Sequence, residues 1–439
     1  MNWWQILALT LTLKIFFFMA GLPIFLCFVL IVGGTVLMLF GSAGYGMFIN
    51  SLYATGTTEA LTSIPLFVMM GEVLMRSGSI DVLFGAIDKL IGRLKGRQYH
   101  MTLVLSAIVG APAGSGIAVA AMLGRSVMGS MIKRGYDPAL TGGTIMAGAM
   151  LAPIIPPSVV AIIIGTLADV SISDLLLAGV IPGLVLSVLY IAAVAISVWR
   201  NPALAPEEPV VVRTRAEKWR ALWDMVPFGI IIFVSIGLIM FDFATPSEAA
   251  ALGVLASILE GVVRRALSLR MLFEAAAESA VLSAVILIIM AAAVLFGQIL
   301  AYTGSIQELG ILAGSLQASP IIIFTLMMVV PFVLCMFVDQ IALMLVLIPI
   351  FEPVIKSVPM DPVWFYMQFL INMVVASIMP PFGYFIFALK AAVPETTLAQ
   401  LYRGAWLFVG VTILGMVLFT IFPGLITWLP IVLKATSGG

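Results

Sequence analysis

The residues able to do chemistry are few, and they sit in unusual company. Asp339 and Gln340 interrupt the apolar run CMFVDQIALML (335–345), and Ser115 lies in GAPAGSGIAVAA (110–121) with Pro112, Gly114 and Gly116 around it. A carboxylate within hydrocarbon costs at least ~2.5 kcal/mol on insertion scales, so Asp339 must face a cavity or a partner, or cap a half-helix. Ser115 offers a hydroxyl, either to a ligand or back to its own helix. Pro153, Pro156-Pro157 and Pro380-Pro381 lack the N–H that a helix needs and push the preceding residue out of the α region, so helices break there. Broken backbone survives in a membrane only where it is buried in protein or lines a wet cavity. Freed carbonyls and helix C-termini then suit a cation, and helix N-termini an anion. Bond-making chemistry has no such support. The sequence contains no HExxH, no paired intramembrane aspartates, no Ser/His pair and no Walker A loop. One histidine and two isolated cysteines give no basis for zinc or haem, so no cofactor is expected.

The elements that must position these residues follow from composition. A chain of 439 residues with 62% hydrophobic and 10% charged side chains cannot cover a soluble globule. Mean hydropathy is +1.21, and the apolar runs are long rather than alternating, which predicts an all-α polytopic membrane protein in the lipid bilayer. Twenty-one basic residues balance twenty-one acidic ones, with no basic face for nucleic acid. No removable signal peptide is evident at the N-terminus. Basic clusters at Lys89 to Arg97, Lys133-Arg134, Arg200 to Arg220 and Arg264 to Arg270 predict cytoplasmic loops, and the stretches around Asp169 to Asp174, Asp242 to Glu248 and Thr303 to Ser319 face outward. Ten crossings satisfy that bias: 4–20, 22–40, 60–76, 139–168, 175–199, 225–241, 247–263, 277–300, 363–388 and 404–430. Both termini then lie outside. The segments 101–132 and 320–350 must return to the side they entered and are expected to be re-entrant hairpins. The polar stretch 200–224 is expected to be a cytoplasmic linker.

An internal repeat organises the chain. GYDP (135–138) and APIIPPS (152–158) recur as PMDP (359–362) and ASIMPPF (376–382) at one offset of 224 residues, which also lays Ser115 over Asp339. The predicted units are a first repeat (1–199, with hairpin 101–132 and broken helix 139–168) and a second (225–439, with hairpin 320–350 and broken helix 363–388). Five crossings separate equivalent positions, so the second copy is inverted. Inverted repeats with interrupted helices point to a secondary transporter. Arg125, nine residues past Gly116, either snorkels toward the cytoplasm or offers a counter-charge to an anionic substrate. Lys14 is expected to snorkel or face another subunit, and Glu72 and His100 to be interfacial.

The chain resembles the large membrane subunit of the TRAP (tripartite ATP-independent periplasmic) transporters. The resemblance runs from about Gly21 to Gly424 and is carried by SIPLFVMMGEVLMRSG (63–78), GSGIAVAAMLG (114–124), DLLLAGVIPG (174–183), FATPSEAAALG (243–253), MFVDQIALMLVLIPIFEPV (336–354) and PPFGYFIFAL (380–389). It implies a sodium-driven importer of organic anions, carboxylates or acidic sugars, in a bacterial or archaeal cytoplasmic (inner) membrane. The partners implied are a small four-helix membrane subunit and a periplasmic solute-binding protein. The implied fold is of the elevator type, with a scaffold and a transport domain. Sodium, the coupling ion and only metal, would map onto Pro112, Gly114, Ser115 and Gly116 with Ala152 and Pro153, and onto Phe337, Val338 and Asp339 with Ser377, Ile378 and Met379. Substrate would meet Ser115, Arg125, Pro156, Pro157, Ser158, Asp339, Gln340, Pro380 and Pro381. The chain departs from the family pattern in having Ala152 for glycine, Gln340 for proline, Met379 for threonine, and Arg125 at a commonly small polar position. A self-contained cation-coupled carboxylate carrier of similar fold, without a binding protein, is the alternative.

Overall fold

The computed structural model describes residues 3–91, 94–207, 214–315 and 319–437, and among them only helices and connecting loops occur. The first half opens with α1 (Trp3–Met19), α2 (Ile24–Phe40), α3 (Ala43–Thr57), α4 (Ser63–Arg76) and α5 (Ser79–Leu90). The first hairpin follows as α6 (Arg97–Ala113) and α7 (Gly116–Leu123), which continues through a π-helical turn (Gly124–Met128) into α8 (Gly129–Lys133). The first broken helix is α9 (Pro138–Leu151) and α10 (Val159–Leu167), and α11 (Ile172–Ala178) and α12 (Val180–Arg200) complete the half.

The second half runs α13 (Arg215–Ile232), α14 (Leu238–Met240) after a π-helical turn, α15 (Pro246–Val263), α16 (Leu269–Tyr302) and α17 (Ser305–Ser315). Its hairpin is α18 (Pro320–Cys335) and α19 (Gln340–Ser357), its broken helix α20 (Pro362–Ala376) and α21 (Tyr384–Ala392). The chain ends with α22 (Leu398–Ile421) and α23 (Gly424–Ser437). Starts recur at the sequence offset: α7 at Gly116 and α19 at Gln340, α9 at Pro138 and α20 at Pro362. Local chemistry explains the latter pair. Asp137 and Asp361 each accept the N–H three residues on, at 2.8 Å, and each is followed by proline at the first helical position.

Among the described residues six helices are long and apolar enough to cross a membrane, or seven if α3 and α4, bent by 63° at Thr58, count as one span. Five of these fall among the ten expected crossings, and the sixth, α19 (Gln340–Ser357), begins in the expected second hairpin and runs past its expected end at 350; the other expected crossings are shorter or interrupted. Several boundaries differ from expectation. Residues 43–57 are helical because small residues let them pack closely: Gly44 lies against Val36, and Ser51 donates to the Ala291 carbonyl at 2.5 Å. The linker ends at Thr214, where a capping box with Glu217 starts α13 ten residues early, while residues 208–213 lie outside the described part. The expected 404–430 crossing is divided at Phe422 and Pro423 into α22 and α23. Lys14 neither snorkels nor reaches the surface. It is buried, with Nζ 3.3 Å from the Phe296 ring centroid and 4.7 Å from that of Phe28. His100 is likewise buried, in the first turn of α6 rather than in a loop.

Two packing groups emerge, joined where α4 packs on α6 and α16 on α19. In one, α4 packs on α15 and α16, and α16 also packs on α2 and α3. In the other, α9 packs on α22, α6 and α7, and α20 on α18 and α22. Small residues bring the second group's helices together: a Cβ at Gly143 would strike the Gly404 carbonyl, and one at Gly148 would strike Ser106. Polar groups link the same helices, with Tyr190 and Thr412 hydroxyls 2.7 Å apart and Trp364 Nε1 donating to the Phe419 carbonyl at 3.0 Å.

Candidate functional site

The first tip is a glycine turn. Gly114 has φ +60°, where a side chain would be strained, and its extended neighbour Ser115 caps α7 by accepting from Ala118 N–H at 3.4 Å. Pro112 falls in the last turn of α6, and its side chain lies outside the described ones. Gly116 begins α7 under the Phe385 ring of α21 and the Ala149 carbonyl of α9, with no room for a Cβ. Gly110 presses on Ala152, and Gly114 on Val159. One hairpin tip thus touches both ends of the first break and the start of α21 in the second broken helix.

The first break spans 152–158. Ala152, Pro153, Pro156 and Pro157 are buried, and the Pro156-Pro157 bond is cis. Ser158 accepts from Ala161 N–H at 3.1 Å and donates to the Pro153 carbonyl at 2.5 Å, closing the break on itself. From α12, Gly179 and Gly183 approach Ile154 and Ile155 closely enough that a Cβ at either would overlap them.

The second tip runs from Met336 to Asp339. Asp339 Oδ1 accepts the Ile341 and Ala342 N–H groups at 2.9 and 3.3 Å, capping α19. Gln340 is buried, and its Oε1 has no hydrogen-bond partner among the described residues. Beside the tip, Ser377 donates to the Met373 carbonyl at 2.8 Å and its hydroxyl stands 2.5 Å from that of Tyr384. Cys335 Sγ lies 4.0 Å from the same Ser377 oxygen. Val338, Ile378 and Met379 are buried, whereas Phe337 and Phe382 are exposed with ring centroids 6.5 Å apart. The Pro380-Pro381 bond is cis, and Gly383 at φ +54° redirects the chain into α21.

The structure brings the first tip to the first break and the second tip to the second. It does not bring Arg125 to either. About 13 Å of helix separates it from Gly116, and it lines a cavity of about 430 Å³ with Glu72, Arg76, Ser126 and Glu278, with no tip or break residue in the lining. Arg125's grouping with the tip residues is corrected on that ground. Cys335 and Tyr384, which join Ser377, were not singled out from sequence, although both lie within the quoted motifs. The polar set at the tips is hydroxyl, carboxylate and backbone oxygen, the donors a hard monovalent cation prefers over nitrogen or sulfur. No group of three or more His, Cys, Asp or Glu side chains among the described residues is arranged to hold a metal ion.

Fold and site together define an α-helical protein with several helices long and apolar enough to cross a membrane. Residues 11–425 match the family described as "Tripartite ATP-independent periplasmic transporter, DctM component", and the chain belongs to that family. It is similar to the ectoine/5-hydroxyectoine TRAP transporter large permease protein UehC of Ruegeria pomeroyi, 32% identical over 88% of this chain and 89% of the relative. It is also similar to the sialic acid TRAP transporter large permease protein SiaM of Vibrio cholerae (27%, 94% and 95%) and to the C4-dicarboxylate TRAP transporter large permease protein DctM of Pseudomonas aeruginosa (26%, 91% and 92%). Among solved structures, the YdaH transporter of Alcanivorax borkumensis has the same fold at TM-score 0.64, with 16% identity over 88% of this chain and 90% of the other. MtrF of Neisseria gonorrhoeae matches at TM-score 0.59, 15% identity, over 88% and 85%.

Proposed function

We propose that this TRAP transporter subunit is the large membrane component of a sodium-coupled importer of carboxylate-bearing organic solutes, receiving them from a periplasmic binding protein and working beside a small four-helix membrane subunit. Its two halves are inverted repeats, and hairpins and broken helices move together as the transport body of an elevator. The observation that carries this reading is the duplicated tip-and-break pair. At one offset, Ser115 and Asp339 cap the second helix of each hairpin, and each tip lies against a proline-broken helix. Such interrupted pairs expose helix ends and carbonyls to a ligand at membrane depth. Sodium would be held by the backbone of each tip and break with Ser115, Asp339 and Ser377 oxygens, and substrate between them near Pro156 to Ser158 and Pro380-Pro381. The carboxylate class follows from the relatives, whose names cover ectoine, sialic acid and C4-dicarboxylates.

The test is uptake into proteoliposomes of labelled ectoine, sialic acid and succinate, with and without a sodium gradient, the small subunit and the binding protein. Uptake of one of these that requires all three supports the proposal. Uptake driven by sodium without the binding protein would favour the self-contained carrier, and sodium-independent uptake would remove the coupling ion.

A further inference from the structure

Arg76 on α4 serves more carboxylates than one cation can neutralise. Its guanidinium lies 3.1 Å from Glu72, 3.1 Å from Glu274 and 2.7 Å from Glu278, and Glu274 is shared with Arg270 at 2.9 Å. Three carboxylates therefore face two cations, and each engages Arg76 through one named oxygen. The Glu278 side chain is 63% exposed. Across the 430 Å³ cavity stands Arg125, exposed and with no hydrogen-bond or ion partner among the described residues. A guanidinium brings five donors in a fork that fits a carboxylate. The two sides come from different elements, because Arg125 rides on the second arm of the first hairpin while Glu72, Arg76 and Glu278 belong to α4 and α16; the first arm, α6, already packs on α4. Arg125 also sits within the π-helical turn, whose extra residue re-aims side chains relative to a regular helix.

We propose that Arg125 is the hairpin half of an ion-pair latch: when the second arm of the first hairpin closes on α4 and α16, its guanidinium takes the remaining oxygens of Glu278 and Glu72 and shuts the cavity between them. A passing organic anion is a poorer partner for Arg125, since it would enter a cavity already lined by Glu72 and Glu278. The latch goes beyond the transport reading and needs neither a bound ion nor a solute.

Its test is therefore independent of uptake. Met75 lines the cavity and both native cysteines are buried, so Met75→Cys gives a reporter for an impermeant maleimide on the purified full-length chain in nanodiscs. Removing the pair with Arg125→Ala should speed labelling about two- to fivefold, the range of a partly exposed ion pair. Glu278→Gln should do the same, and the double variant should label no faster than either single. High salt should speed labelling in the parent and not in the variants, because it screens only a pair that exists. An unchanged rate in Arg125→Ala overturns the latch, as does a double variant whose rate is the product of the two singles. Arg125 and Glu278 are both exposed, so neither substitution removes core packing.

Discussion

The two tip-and-break regions share a backbone plan and differ in almost everything attached to it. In the first, the turn is glycine, the cap is a hydroxyl at 3.4 Å, both prolines are buried, and Gly179 and Gly183 seal the break against α12. In the second, the cap is a carboxylate holding two N–H groups, Pro381 is exposed, and two aromatic rings, Phe337 and Phe382, stand open beside it. Gly116 in the first tip corresponds at the offset to Gln340 in the second, a residue with no side chain against a buried amide. Helix starts thus coincide at the offset, while packing differs. The first region is built to be tight and the second to retain polar groups and an opening.

If the two regions are inverted copies, the loops that precede their broken helices lie on opposite sides of the membrane. Lys133 and Lys356 are both exposed and both precede an Asp-Pro start. Single cysteines at these positions, in a chain lacking Cys27 and Cys335, should label from opposite faces with an impermeant reagent, an all-or-none difference. Labelling of both from one face would leave the shared boundaries without an inverted repeat.

A nearly complete effect is expected at the tight tip. A side chain at Gly116 would drive into the Phe385 ring and the Ala149 carbonyl; overpacking of this kind typically costs ~1–3 kcal/mol and displaces backbone. Gly116→Val should abolish uptake while the protein still inserts, because the damage is confined to the junction of α7, α9 and α21. Wild-type uptake by this variant in proteoliposomes would show that the tip tolerates looseness and that the contrast with the second region is superficial.

An intermediate effect is expected at Asp339. Asn caps a helix about as well as Asp, so Asp339→Asn should leave expression and melting near the parent. On the proposed function the missing charge should weaken apparent sodium affinity on the order of tenfold, as for loss of a charge-assisted contact of ~1.5 kcal/mol. Uptake measured against sodium concentration decides. An unchanged curve would assign Asp339 to capping alone and leave the two tips chemically closer than they look.

How much of this was readable from sequence depends on what each feature rests on. The breaks at Pro156-Pro157 and Pro380-Pro381 and the starts at Asp137 and Asp361 depend on local backbone chemistry, and the sequence states them directly. The short helix α5 was foreseeable from Ile80, Leu83, Phe84 and Ile87, whose spacing gives one apolar face, but the segment was assigned to no crossing and its end falls in the loop predicted from Lys89. Helix α3 was less accessible, since AGYGMFINSLYATGT is poor in helix formers and depends on Val36 and the Ala291 carbonyl, distant in sequence. The same reason hid Arg125's surroundings: its cavity is lined by residues from 72 to 278, and no local pattern announces such a meeting. The Ser377, Tyr384 and Cys335 cluster falls between, because its members lie within motifs that were legible while their contacts were not.

The smallest effect should come from the hydrogen bonds that steady the open break. Tyr402 on α22 points its hydroxyl at the Pro381 and Phe382 carbonyls, 3.0 Å from each, so one proton is shared between two acceptors. Both bonds are water-accessible, and water can replace them, which puts their joint worth at the low end of ~0.5–1.5 kcal/mol. Tyr402→Phe should therefore lower initial uptake only about two- to threefold and leave melting almost unchanged. Gly183→Ala at the first break is the matched perturbation, since its added methyl would meet the Ile155 side chain in a sealed site where no water can stand in. It should cost substantially more, in both rate and melting temperature. Should Tyr402→Phe prove as damaging as Gly183→Ala, the second break is as rigidly held as the first, and exposure at Pro381 and Phe382 would no longer mark it as the mobile member of the pair.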